Sequence, residues 1–71
     1  MKITYDPKAD ALYIQFRIGK SKNTKKLQDG ILVDLDKNGK LFGIEIIGVS
    51  ERVALKNLQE VSFNFPVATG R

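Results

Sequence analysis

The chain has no cysteine, no histidine and no tryptophan among its 71 residues. Without thiolate or imidazole, a zinc site of the usual ligand types is excluded. So are a Cys–His pair, a Ser–His–Asp triad and a histidine pH switch. Disulfides cannot supplement the core, and no indole is available as a stacking platform. Chemistry would fall to carboxylates, Lys, Arg, Tyr, Ser, Thr and Asn. Long hydrophobic runs are also missing. The most apolar stretch, Leu41 to Val49, is interrupted by Glu45 and is about half the length of a membrane span. The first residues lack the apolar stretch of a secretory signal. A soluble, cytoplasmic protein with no membrane partner is the expectation.

What is present is core material for one small domain. Seven Ile, seven Leu and five Val fit a single two-layer unit spanning residues 1–71. The net charge of +4 is local. Four lysines, Lys20, Lys22, Lys25 and Lys26, fall in a window without an acid, leaving eight basic and eight acidic residues elsewhere.

Strand patterns dominate. Residues 11–18 alternate, with Leu12, Ile14, Phe16 and Ile18 on one face. Ile3 and Tyr5 mark a first strand, and Asp6-Pro7 begins a turn. Tyr5 opposite Leu12 and Ile3 opposite Ile14 makes one face apolar. Residues 24–28 read as a short strand turning at Asp29-Gly30. The strands at 31–36 and 41–49 flank Asn38-Gly39, which favours a two-residue hairpin. That register pairs Leu35 with Phe42, Val33 with Ile44 and Ile31 with Ile46. A three-residue loop would pair Leu35 with Leu41 and set Asp34 beside the apolar face.

After Val49 the period becomes helical. Ser50 is placed as N-cap and Glu51 in the first turn. A C-terminal helix is expected over about 51–60. Val61, Phe63 and Phe65 then alternate as a last strand or an extended arm, 61–65. The predicted fold is α+β: an antiparallel β-meander of four to five strands with one C-terminal helix packed on one face.

Several of these residues together carry a resemblance. The segment from Tyr5 to Ile14, with Asp6-Pro7 and Asp10-Ala11, resembles the opening signature of DUF2283, a small prokaryotic domain family. Gly30-Ile31, Val33-Asp34, Asp36, Gly39, Gly43-Ile44-Glu45-Ile46 and Ser50 match its second half. The similarity covers about residues 3–53. It supplies no catalytic residues. It implies an antitoxin-like or accessory partner of another small protein, because such genes resemble neighbours of compact toxin-like RNase genes.

Four constellations are candidate sites. Asp6 and Asp10 could hold a hard cation or simply serve a turn; the turn is favoured. Asp34, Asp36 and Glu45 form an acidic face that could support general acid–base or Mg²⁺ chemistry, or lie solvated. Lys20, Lys22, Lys25 and Lys26 could contact nucleic-acid phosphates, but have neither Arg nor an aromatic among them. Leu32, Leu41, Ile47 and Val49 give the second sheet face an apolar excess, to be covered by Phe63 and Phe65, a second copy or another protein. The expectation is a noncatalytic interaction module without cofactor or metal, binding a protein partner or itself as a homodimer. The alternatives are a nucleic-acid accessory protein and a carboxylate- or metal-dependent enzyme.

Overall fold

The computed structural model describes residues 1–62 and 64. Five strands form one antiparallel sheet: β1 (Lys2–Asp6), β2 (Ala11–Gln15), β3 (Asn23–Gln28), β4 (Ile31–Leu35) and β5 (Leu41–Ile47). Their spatial order is β1-β2-β5-β4-β3, so this is not the simple meander expected. The β1–β2 hairpin joins the β3–β4–β5 meander through the β2–β5 pairing. The chain between β2 and β3 passes the ends of β5 and β4. The Phe16 amide bonds the Phe42 carbonyl at 2.9 Å, and the Lys22 amide bonds that of Leu35 at 2.7 Å. This detour ends β2 earlier than the alternation suggests, and Ile18 is fully exposed (100%).

The register of β1 with β2 is the expected one, Ile3 with Ile14 and Tyr5 with Leu12. The 36–40 hairpin differs. Gly39 donates its amide to the Asp36 carbonyl and Asp36 donates its own to Lys40, so the loop has three residues and Leu35 pairs with Leu41. A bulge then inserts Phe42 as an extra residue, and Asp34 meets Gly43. Beyond it Val33 pairs with Ile44 and Ile31 with Ile46, as the hydrophobic pattern requires. Because directly opposed residues share a face, the bulge carries Leu41 to the side of Leu35, Val33 and Ile44.

The helix is shorter than expected. α1 covers Val49–Arg52, and a separate 3-10 turn, η1, covers Leu55–Leu58. Between them Val53 and Ala54 are extended, with ψ of 133° at each. Gly48 is the N-cap in place of Ser50. The break lets Leu55 and Leu58 form an apolar groove with Ile3, Tyr5 and Leu12 at the β1–β2 margin. A continuous helix packed across one face is therefore absent from the described residues. The last strand expected at 61–65 includes Phe63 and Phe65, which lie outside the described residues. No helix among the described residues is long and apolar enough to cross a membrane.

Candidate functional site

One sheet face carries Ile3, Tyr5, Leu12, Ile14, Phe42, Ile44, Ile46, Ile31, Val33 and Leu35, by the pairings of the five strands. Leu12 and Phe42 are buried there, while Ile14, Ile31, Val33, Leu35, Ile44 and Ile46 are half-buried. The opposite face carries Thr4, Tyr13, Gln15, Gly43, Glu45, Leu32, Asp34, Thr24 and Lys26.

The polar face is crossed by a chain of contacts. Tyr13 on β2 donates its hydroxyl to Asp34 on β4 at 2.7 Å, spanning β5. It crosses at Gly43, where a Cβ would overlap the phenol, with Cζ at only 2.6 Å. Thr24 on β3 donates to the other Asp34 oxygen at 2.6 Å. One carboxylate thus ties β2, β3 and β4 together over a glycine in β5. Burial, then the hydrogen bond to Asp34, pushes the Tyr13 phenol up to about 12. That phenol is held neutral and donating, unlike a base poised near neutral pH.

Asp36 is committed to the hairpin. Its Oδ1 accepts from the Asn38 and Lys40 amides at 2.8 and 2.9 Å, and Oδ2 accepts from the Arg17 guanidinium. The Lys40 amide bond, followed by Arg17, holds this carboxyl at about 2.

Asp10 binds the β1–β2 turn to α1. Its carboxylate accepts from the Tyr5 hydroxyl at 2.8 Å, the Ser50 hydroxyl at 2.6 Å and the Ser50 amide at 3.2 Å. Its carbonyl accepts from the Gly48 and Val49 amides at 2.8 and 3.1 Å. Asp10 adopts φ of 50°, which is uncommon outside glycine and better tolerated by Asp and Asn. The Ser50 and Tyr5 bonds lower its pKa. Asp6 instead accepts from the Lys8 amide at 3.0 Å, so the two turn carboxylates do separate work.

Folded-state depression of Asp36 and Asp10 has a defined consequence. The contribution is present above the ordinary carboxyl value of 3.8 and disappears as pH falls through about 2 for Asp36. Acid unfolding followed by circular dichroism should therefore retain an extra loss of stability below pH ~4, and Asp36→Asn should remove part of it.

The acidic constellation is not a cluster. Asp34 is bonded by Tyr13 and Thr24, Asp36 by the hairpin, and half-buried Glu45 sits opposite Tyr13 and Leu32. Among the described residues, no three potential metal ligands of the His, Cys, Asp or Glu type converge.

The lysines are also divided. Lys20 and Lys22 are exposed on the crossing loop, whereas Lys25 and Lys26 are neighbours in β3 and point to opposite faces. Lys26 pairs with Asp29 at 2.7 Å.

Of the apolar candidates, Leu32 and the 43%-exposed Ile47 lie on the polar face; 43%-exposed Leu41 lies on the other. Val49 is buried (1%) in α1, which removes it as a contact residue. Phe63 and Phe65 lie outside the described residues. The residues that sequence reasoning missed are Tyr13 and Arg52. Arg52 donates to the Asp29 carbonyl at 2.6 Å and the Ile47 carbonyl at 3.3 Å, latching the β3–β4 turn to the end of β5. Gly43 signalled the first, since a strand glycine often marks a close approach.

Most of these contacts fall between residues 5 and 50. The family model for a protein of unknown function, DUF2283, matches residues 2–50. An uncharacterised protein of Methanocaldococcus jannaschii, MJ0789, is 45% identical over 51 residues, covering 72% of this chain and 43% of that protein. The chain thus spans less than half the length of this relative. No solved structure matches the chain. With more than two thirds of its length matched by the family model, the chain belongs to the DUF2283 family.

Proposed function

We propose that this domain is a noncatalytic interaction module that receives a partner protein on the apolar face of its sheet. The observation that carries the reading is the half-exposed patch of Ile14, Ile31, Val33, Leu35, Ile44 and Ile46, continued by exposed Leu41. A sheet needs a second layer to bury its apolar side. Among the described residues, η1 meets this face at the β1–β2 margin, leaving the β5–β4 centre half-exposed. Contiguous apolar surface of this kind marks interaction sites.

The engagement of Asp10, Asp34 and Asp36 by the fold supports a noncatalytic role. In its finer form, suggested by the family resemblance, the partner is a small toxin-like protein and the domain its cytoplasmic antitoxin-like companion. The lysine window gains no support for a nucleic-acid role, because Lys25 and Lys26 face opposite ways.

Native mass spectrometry of complexes isolated from the source cells tests the reading together with surface variants. A stoichiometric protein complex should be lost in Val33→Glu and Leu41→Glu and kept in Leu27→Glu, on 70%-exposed Leu27 of edge strand β3. Circular dichroism verifies that each variant is folded. A complex indifferent to Val33 and Leu41, or no complex at all, rejects the face.

A further inference from the structure

We infer that the edge of β1, unpaired among the described residues, is a self-complementary pairing surface that joins two copies of the chain into one continuous sheet. Among the described residues, both β1 and β3 are edge strands. Edge backbone is a ready template for another strand unless charge, a bulge or proline blocks it. β3 is blocked: its register breaks between Lys26 and Gln28, and pairing it with itself would bring lysines together. β1 pairs with β2 in unbroken register over all five residues, and all five are exposed.

The outward backbone groups follow from the ladder. In an antiparallel strand, one residue's N–H and C=O point to the same side, and successive residues alternate. The Ile47 amide bonds Gly30 on the β4 side, and Phe42 accepts from Phe16 on the β2 side. Hence Phe42, Ile44 and Ile46 address β2, while Ala11, Tyr13 and Gln15 address β1. Their partners Asp6, Thr4 and Lys2 point inward, and the groups of Ile3 and Tyr5 point outward from the sheet.

The sequence Lys2-Ile3-Thr4-Tyr5-Asp6 then matches its own reverse. A two-fold axis through Thr4 sets Ile3 against Tyr5 of the second copy, and both these residues carry outward backbone groups. It sets Lys2 against Asp6, twice, so the charges complement each other. Thr4 meets Thr4, a pair that stabilises strands. Centring the axis on Ile3 sets Lys2 against Thr4 and leaves Asp6 without a strand partner. Centring it on Tyr5 sets Ile3 against Pro7, which has no amide to donate. The Thr4 axis therefore uses the charges and the backbone groups together.

Side chains favour the same margin. Ile3 and Tyr5 are each 37% exposed, and Leu55 in the adjoining groove is 44% exposed. Pairing at β1 would bring two such grooves together on the same face of the joined sheet. The edge alone offers less contact than the ~800 Å² per partner of a standard stable complex, so the dimer is expected to be concentration-dependent.

The absence of cysteine makes a direct test available. Thr4 would occupy a non-hydrogen-bonded pair across the axis, where Cα atoms lie about 4.5 Å apart, within disulfide reach. Under mild oxidation, Thr4→Cys should give a disulfide-linked dimer, while Lys25→Cys on the β3 edge should remain largely monomeric. In sedimentation equilibrium, the full chain should show a monomer–dimer equilibrium. Ile3→Pro removes an outward donor without touching the β1–β2 ladder, so it should be monomeric with an unchanged strand spectrum. Lys2→Glu should weaken the dimer several-fold.

A monomeric full chain at all concentrations, equal oxidation of Thr4→Cys and Lys25→Cys, or a dimer retained in Ile3→Pro overturns the inference. None of these variants alters Val33 or Leu41, so failure here is separable from failure of the docking face.

Discussion

Gly43→Ala should cost the domain about 3 kcal/mol, the upper range for forcing atoms into a filled site. A Cβ at this position overlaps the Tyr13 phenol and lies 2.9 Å from the Ile14 carbonyl oxygen. The phenol cannot simply swing away, because its hydroxyl is held by Asp34. Moving it leaves Asp34 with the Thr24 bond and uncovers β5. The whole domain is expected to be stable by only roughly 4–11 kcal/mol at its length, so this loss is a large fraction. Urea denaturation followed by circular dichroism measures it.

The mechanism is tested by the double variant. In a Tyr13→Ala background the ring is gone, and of the three nearest atoms only the Ile14 carbonyl oxygen remains. Gly43→Ala should then cost at least ~1 kcal/mol less, as expected for coupled neighbours. Equal costs in the two backgrounds would mean that the ring over Gly43 contributes nothing. Tyr13→Phe keeps the ring and loses the bond to Asp34, which should cost about 1 kcal/mol.

The second large effect is at Gly30, where backbone and packing act together. Its φ is +81°, a region costly for residues with a Cβ. A Cβ would also overlap the Arg52 guanidinium and approach the Ile47 carbonyl oxygen to 3.1 Å. The Gly30 carbonyl accepts the Ile47 amide at 2.7 Å, so the backbone is fixed on both sides. Backbone strain of about 1 kcal/mol or more, with about another 1 kcal/mol for displacing the Arg52 bond to Asp29, gives a loss near 2 kcal/mol for Gly30→Ala. Arg52→Ala should cost less, and the double variant less than the sum. Additive losses would separate the glycine from the latch.

Much of the sheet was legible because its signals are local and periodic. The Ile3–Ile14 and Tyr5–Leu12 pairs followed from alternation and the Asp6-Pro7 turn. So did Val33–Ile44 and Ile31–Ile46. The hairpin between the latter strands shows the limit of that reasoning. Asn38-Gly39 suggested a two-residue turn, but the Asp36 carboxylate accepts the Asn38 and Lys40 amides and stabilises a longer loop. The Phe42 bulge reconciles that loop with the register of the hydrophobic pairs. Leu41 changed face for this reason alone.

The strand order was not legible. Inserting β5 between β2 and β4 is a tertiary pairing with no signal in either segment. The helix was overestimated because the apolar spacing after Val49 is helical, yet Val53 and Ala54 are extended. Helical propensity is a weak preference, and the contact of Leu55 and Leu58 with Ile3, Tyr5 and Leu12 lies beyond the break.

The candidate site was legible in part. A register pairing Val33 with Ile44 also sets Asp34 opposite Gly43, but nothing in it points to the tyrosine that joins them. Tyr13 is formally opposite Glu45, and its reach to Asp34 depends on leaning along the strand across a residue without a side chain. Asp10 and Ser50 are separated by 40 residues, and nothing local announces their bond. Asp10, Asp34 and Asp36 each fix one junction of the sheet, while among the described residues the apolar face between the edges stays half-exposed.

The role of Asp10, Asp34 and Asp36 is to hold the fold together. Its most direct test is one urea-denaturation series comparing Asp10→Ala, Asp34→Ala and Asp36→Ala with Glu60→Ala, an exposed acidic position beyond the family match. Unfolding midpoints should fall for all three aspartate variants and stay unchanged for Glu60→Ala. Three aspartate variants as stable as the parent chain would contradict it and return those carboxylates to consideration as a working site.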